Sequence, residues 1–247
     1  MRVYILLYVL TLGFLLAACS QPGKQLVTSP ALDSIYRNAP IPNPDGTGRL
    51  YMGREIAQTM SHYGAAWLDR AERIQEERTD LLVKALASRV KPTDAIADIG
   101  AGSGYMSFRL APLVPQGTIY AVDIQPEMLA LIQSKKEKNR MENVQTVLGT
   151  LTDPKLPEES TDWVLLVDAY HEFSNPYEMM LNVTKTLKPS GKVVLVEYRG
   201  EDANVPIKLL HKMTQQQAKK EMEAVGLHWV ETQTILPWQH LMIFQKE

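Results

Sequence analysis

Asp98-Ile99-Gly100-Ala101-Gly102-Ser103-Gly104 decides the fold of this chain. The residues that enter it, Ala95-Ile96-Ala97-Asp98, read as a short buried strand, and residues 106–113 read as the helix that leaves it. Without Cβ atoms at three positions, the loop can turn sharply and its backbone can approach a ligand closely. A glycine-rich loop alone is weak evidence, but three details sharpen it. The spacing is G-x-G-x-G, and Tyr105 stands where a dinucleotide fingerprint carries Gly or Ala, so close helix packing over a pyrophosphate is disfavoured. Asp98 stands two residues before the first glycine, where a carboxylate can meet an ammonium group. Asp123, 19 residues after Gly104, ends the next strand, where an acid can accept hydrogen bonds from both hydroxyls of a ribose.

Working outward, strand and helix alternate. Residues 118–123 form a strand, 126–139 a helix, 144–148 a strand and 162–168 another, after a Pro-containing loop. Residues 176–187 are helical and 192–198 form a fifth strand. A helix over 214–225 is ended by Gly226, a favoured residue just past a helix end. Residues 229–234 and 241–245 are the last two strands, and the short loop around Pro237 makes them antiparallel. Such alternation predicts an α/β fold: a doubly wound, Rossmann-like, seven-stranded sheet, mostly parallel, with an antiparallel last strand and helices on both faces.

The N-terminal part reads differently. Arg2 precedes an almost wholly apolar run over residues 3–18, closed by Leu16-Ala17-Ala18-Cys19. That run is shorter than the ~20 residues that span a bilayer comfortably, and it ends in small residues, as a signal peptide does. The tetrapeptide resembles the lipobox of bacterial lipoproteins, which implies lipid on Cys19 and a membrane partner. Ser20 after the cysteine implies the outer membrane on the periplasmic side. An uncleaved anchor facing the cytoplasm is the alternative. Cys19 is the only cysteine, so no internal disulfide can form. Residues 20–48, rich in Pro, Asn, Gly and Ser, read as a flexible tether. Residues 49–90 read as an N-terminal helical segment, with helices over 54–60 and 65–90 and an apolar stripe of Ile74, Leu81, Leu82, Ala85 and Leu86. His62, Tyr63, Trp67 and Arg70 make this segment a candidate lid, as do residues 198–212 after strand five.

Asp98, the glycines and Asp123 together resemble motif I and the following acidic motif of class I S-adenosylmethionine (SAM)-dependent methyltransferases. The resemblance covers residues 91–247. It implies SAM as cofactor, with Asp98 facing the methionine amino group, Gly100, Gly102 and Gly104 lining the cofactor, Asp123 on the ribose and Ile124 on the adenine. Many members carry an acid after Gly at the end of strand three; here the pair is Gly149-Thr150, and Thr150 can accept a hydrogen bond there.

After strand four comes Asp168-Ala169-Tyr170-His171-Glu172-Phe173, at the carboxyl end of a strand beside the switch point, where open α/β sheets bind ligands. In the family this position faces the transferred methyl, with Asp168 touching cofactor. His171 suits a general base, since histidine as a residue type titrates near neutral pH, and Glu172 suits an orienting or acceptor-binding group. The alternative is that both make only loop hydrogen bonds. Asp168, His171 and Glu172 also resemble the metal set of some catechol-type methyltransferases, but the spacing is no strong metal signature and no metal is expected.

With 45% hydrophobic residues and a formal net charge of −2, the chain can bury one substantial core and lacks an overall basic field. A small-molecule acceptor is therefore expected rather than nucleic acid. Two other functions fit the same fold: a membrane-tethered, non-catalytic binding module, and an NAD-dependent oxidoreductase that Tyr105 disfavours.

Overall fold

The computed structural model describes residues 35–246. The expected signal sequence (1–19) and the first part of the expected tether (20–34) lie outside the described residues.

The central sheet has the order β10-β11-β8-β7-β4-β5-β6. Its strands are β4 (Ala95–Ile99), β5 (Thr118–Asp123), β6 (Val144–Leu148), β7 (Thr161–Val167), β8 (Leu187–Arg199), β10 (Leu227–Gln233) and β11 (Gln239–Lys246). From β8 to β6 every pairing is parallel, whereas β11 runs antiparallel to both β8 and β10. A two-residue β9 (Lys212–Met213) adds to the end of β8. This is the expected seven-stranded, doubly wound arrangement with its antiparallel last strand.

The apolar strands are buried on both faces, as parallel strands covered by helices must be. Successive side chains alternate between two cores. Val164 and Leu166 of β7, Val193 and Leu195 of β8, and Met242 and Phe244 of β11 point to one core. There they meet α6 (Pro176–Thr186) and α7 (Gln215–Glu223), through Met180, Val183 and Met222. Trp163, Leu165, Val194, Val196, Leu241 and Ile243 point to the other. That core is covered by α3 (Thr79–Ala87), α4 (Tyr105–Leu110) and α5 (Pro126–Asn139), through Leu82, Leu110 and Ile132.

The N-terminal part departs from expectation. Residues expected to be tether and helix form a three-stranded antiparallel sheet of β1 (Tyr36–Asn38), β2 (Gly46–Tyr51) and β3 (Arg54–Ala57). Pro40, Pro42 and Pro44 lie in the connection between β1 and β2, where missing backbone donors cost no ladder bonds. Met52 (φ 47°) and Gly53 (φ 105°) form the two-residue turn between paired Tyr51 and Arg54, and positive φ at both positions matches the twist of a tight hairpin. Tyr51 and Ile56 are fully buried in the first core. Arg54 forms an ion pair with the buried Glu221 of α7, Nε to Oε1 at 2.7 Å, and its Nη1 donates to the His171 carbonyl at 3.1 Å.

The long helix expected over 65–90 is three: α1 (Ala65–Leu68), α2 (Arg73–Glu77) and α3. Arg78, between the last two, adopts φ 51°. Leu82 and Leu86 of the expected stripe are buried, but Ile74 is exposed. The face of α2 turned inward is instead charged, carrying Arg73 and Glu77.

Candidate active site

A cavity of about 450 Å³ opens at the carboxyl ends of β4 to β8. It lies where the chain leaves β4 with β5 on one side and β7 on the other, the switch point at which such sheets bind ligands. Asp98, Gly100, Gly102, Asp123, Ile124, Thr150, Asp168, His171 and Glu172 all line it. Gly104 does not. It starts α4 at φ 79°, and a Cβ there would stand 2.9 Å from both Ile132 and Phe108 side chains, so its role is close packing of the loop on α5.

The glycine loop is shaped by its neighbours. The Gly100 and Ala101 N–H groups both donate to the Val122 carbonyl, at 2.9 and 3.0 Å. Gly100 has φ 76°, and a Cβ would stand 2.8 Å from the Ala169 Cβ; a side chain is excluded on both counts. Asp123 braces the loop, its Oδ2 accepting from the Gly102 N–H at 2.8 Å and its Oδ1 from the Gln125 N–H at 2.9 Å. Thr150 sits at the exposed rim, its hydroxyl donating to the Asp153 carbonyl at 3.3 Å.

Burial raises all three aspartates. Asp98 is pushed up to about 6 by desolvation, opposed by the Ser107 hydroxyl that donates to its Oδ2 at 2.6 Å. Asp123 is raised by desolvation, against the backbone N–H groups it accepts from. Asp168 is raised well above the carboxylate range by desolvation and by the negative charges of Glu77 and Glu197, with Arg73 opposing. Asp168 has φ 50°, a conformation rare outside glycine and enriched at functional sites. Its Oδ2 accepts from Gln239 Nε2 at 3.3 Å, while its Oδ1 is buried with no hydrogen-bond partner.

His171, 2% exposed, begins a second polar group. Its Nδ1 lies 2.6 Å from Glu197 Oε2 and its Nε2 lies 3.0 Å from His211 Nδ1. Glu197 Oε2 is placed to accept from an Nδ1–H, and in that tautomer the Nε2 lone pair of His171 meets His211 Nδ1. Glu172 is held by the Met60 N–H, which donates to Oε2 at 2.9 Å. Sequence reasoning did not single out Glu197, although an acid ending the apolar run Val193-Val194-Leu195-Val196 was a signal. His211 appeared only within a candidate lid.

Both candidate lids reach the cavity, through Trp67 and Leu68 of the first and through Tyr198, Lys208 and His211 of the second. His62, Tyr63 and Arg70 do not line it. Arg73, also unanticipated, does: it is 4% exposed, its Nε donates to Glu77 Oε2 at 2.8 Å, and its Nη2 lies 4.0 Å from Asp168 Oδ2.

Residues 91–245 match a family model described as a methyltransferase domain. An uncharacterised methyltransferase-like protein of Schizosaccharomyces pombe is 33% identical over 143 residues, covering 58% of this chain and 53% of its own length. YcgJ of Bacillus subtilis, an uncharacterised methyltransferase by name, is 29% identical over 134 residues, covering 54% of this chain and 52% of its own. The chain thus spans about half the length of the curated relatives it matches. Among solved structures, a SAM-dependent methyltransferase from Aquifex aeolicus has a TM-score of 0.71 at 17% identity, over 76% of this chain and 100% of that one. The methyltransferase CalH, solved with SAH, has a TM-score of 0.55 at 17% identity, over 67% of this chain and 55% of that one. At such identities the likeness is one of fold.

Proposed function

The chain belongs to the methyltransferase-domain family, and from that premise we propose that it transfers a methyl group from SAM to a small or medium-sized acceptor. The observation that carries this reading is the convergence of Asp98, the glycine loop, Asp123 and Asp168 on one cavity. The residues fit the cofactor: Gly100 and Gly102 line the cavity with bare backbone, and the buried Asp168 Oδ1 has no hydrogen-bond partner among the described residues. Asp98 and Asp168 would hold the methionine ammonium, Asp123 the ribose hydroxyls, and Ile124 and Thr150 the adenine. When bound, SAM supplies an electrophilic methyl group on a sulfonium.

On the acceptor side, His171 would act as general base through Nε2, which meets His211 Nδ1 in the ligand-free molecule, with Glu197 holding the ring through Nδ1. Glu172, on the same turn, orients the acceptor or binds its charge. A small molecule suits a cavity of about 450 Å³ in a chain of net charge −2.

Calorimetry of the full-length chain with S-adenosylhomocysteine (SAH) and with NAD tests the reading. SAH should bind and NAD should not; tight NAD binding with no response to SAH would refute it. A screen of phenols, amines, thiols and carboxylates, read by homocysteine release, then finds the acceptor.

Lipid attachment at Cys19, and with it a periplasmic outer-membrane location, is part of the same proposal and rests on Leu16-Ala17-Ala18-Cys19. No helix among the described residues is long and apolar enough to cross a membrane. SAM is made in the cytoplasm, so either the signal is inefficient, or cofactor reaches the periplasm, or the exported domain serves as a tethered, non-catalytic binding module; methyl transfer by membrane-extracted protein separates the last from the other two.

A further inference from the structure

The turns that follow β7 and β8 bring three side chains to one point at the acceptor end of the cavity. We propose that His171, Glu172 and His211 form a site for one divalent first-row transition-metal ion, Zn²⁺ by preference. The ion's role rests on the methyl-transfer reading above; its binding does not.

The geometry is that of a ligand set. His171 Nε2 is 3.0 Å from His211 Nδ1. Glu172 Oε1 is 3.4 Å from His211 Nδ1 and 3.8 Å from His171 Nε2. Three atoms so spaced share a point roughly 2.1 Å from each of them, which is a Zn–N or Zn–O bond length.

The atoms that would not bind the ion are held from behind. Glu197 Oε2 accepts from His171 Nδ1 at 2.6 Å, which fixes the tautomer whose Nε2 lone pair faces the other two ligands. The Met60 N–H holds Glu172 Oε2 at 2.9 Å, leaving Oε1 for the ion. Carboxylate-backed histidines and hydrogen-bonded carboxylates are the usual outer shell of a metal site. Two imidazoles and one carboxylate favour Zn²⁺, Fe²⁺ or a similar ion over Mg²⁺ and Ca²⁺, which prefer oxygen. Asp168 is not a member: its Oδ2 faces Gln239 and Arg73.

All three ligands line the cavity, so the remaining coordination positions face the acceptor. A hydroxyl coordinated there loses its proton near neutral pH, as metal-bound water does at a pKa of about 7. The O–H bond breaks, its electron pair stays on oxygen, and the proton passes to solvent. With the ion in place the His171 lone pair is a ligand, and coordination takes over the deprotonation assigned above to the ion-free imidazole.

The test is metal titration of the full-length, chelator-stripped protein. Calorimetry with Zn²⁺ should show about one equivalent bound, and Co²⁺ should give visible d–d absorption from a nitrogen-containing site. His211→Ala and Glu172→Gln should each weaken Zn²⁺ binding by roughly 10-fold or more, and Glu197→Gln by roughly 10–100-fold. Cys19 is present in every variant, so a thiolate cannot account for the differences. His211 and Glu172 are partly exposed, and each variant is tested independently of the other. No Zn²⁺ uptake by the wild-type chain, or uptake unchanged in both variants, overturns the site. SAH titration of the same preparations separates this failure from that of the methyltransferase reading, which falls only if SAH does not bind.

Discussion

Replacing Asp123 by alanine tests loop and cofactor together. The carboxylate accepts from the Gly102 and Gln125 backbone N–H groups at 2.8 and 2.9 Å, in a residue 7% exposed. Hydrogen bonds to a charged group contribute about 1.5–3 kcal/mol each, and the variant would leave the buried Gly102 donor and the half-buried Gln125 donor unpaired. Removing a carboxylate whose pKa is raised by burial returns part of that cost, because its desolvation penalty vanishes with it. A net loss of about 2–3 kcal/mol follows, which for a folded unit of this size lowers Tm by roughly 4–12 °C. A carboxylate offers about four lone-pair sites, so it retains capacity for ribose hydroxyls while bracing the loop. Losing those bonds should weaken SAH by about 1–3 kcal/mol, or roughly 5- to 150-fold. Differential scanning calorimetry reads the first effect and isothermal titration, below the variant's Tm, the second. Asp123→Asn, which keeps one carbonyl acceptor, should fall between wild type and alanine in both. An alanine variant with unchanged Tm and SAH affinity within about twofold of wild type would refute both the bracing and the ribose roles.

Asp98 makes SAH binding pH-dependent. Its carboxyl, raised to about 6, is neutral below that pH, and an ammonium ligand selects the ionised form. Affinity should therefore fall by up to about tenfold per pH unit below 6, and Asp98→Asn should flatten that profile. In the ligand-free protein the same raised pKa makes this group's contribution to stability grow as pH falls from about 6 toward its unfolded value and shrink as pH rises through 6. On an identified acceptor, His171→Ala should lower turnover by about 10²–10⁴-fold with little change in SAH affinity; full turnover would remove His171 from the chemistry. Glu221→Ala leaves Arg54 without its partner and should cost about 3–5 kcal/mol by urea denaturation, whereas a loss below about 1 kcal/mol would show that water relieves the charge. Wild-type protein should incorporate labelled palmitate and Cys19→Ser should not; an unlabelled wild type rules out the lipobox.

The central sheet was legible because its signals agree. Residues 118–123 and 144–148 are compact apolar strands, and Pro126 is suited to the first position of the helix that runs to Asn139. The glycine loop and its two acids are local in sequence, so their spacing alone brought them to one cavity. Residues 54–60 misled because Arg, Glu, Ala and Gln form helices readily when counted without context. Packing of Tyr51 and Ile56 against the first core, and the Met52-Gly53 turn, override that propensity. Residues 65–90 misled for a different reason: Arg73 lines the cavity and is paired with the buried Glu77, so the face of α2 that turns inward carries charge where an apolar stripe was expected. His211 lies 40 residues beyond His171 and Glu197 lies 26 beyond it; only the parallel pairing of β7 with β8 makes these neighbours.

Arg54 ties three parts of the molecule at once, spanning the N-terminal sheet, α7 and the backbone of the His171 turn. The match to the methyltransferase domain begins at residue 91, but the folding unit begins well before it. A fragment cut at that boundary would strip Tyr51 and Ile56 from the first core, take Arg54 from Glu221 and release the His171 carbonyl from its donor. Expression designs bounded by the recognisable domain should therefore yield aggregating or inactive material, while those beginning ahead of Tyr36 should keep their substrate-facing turn intact.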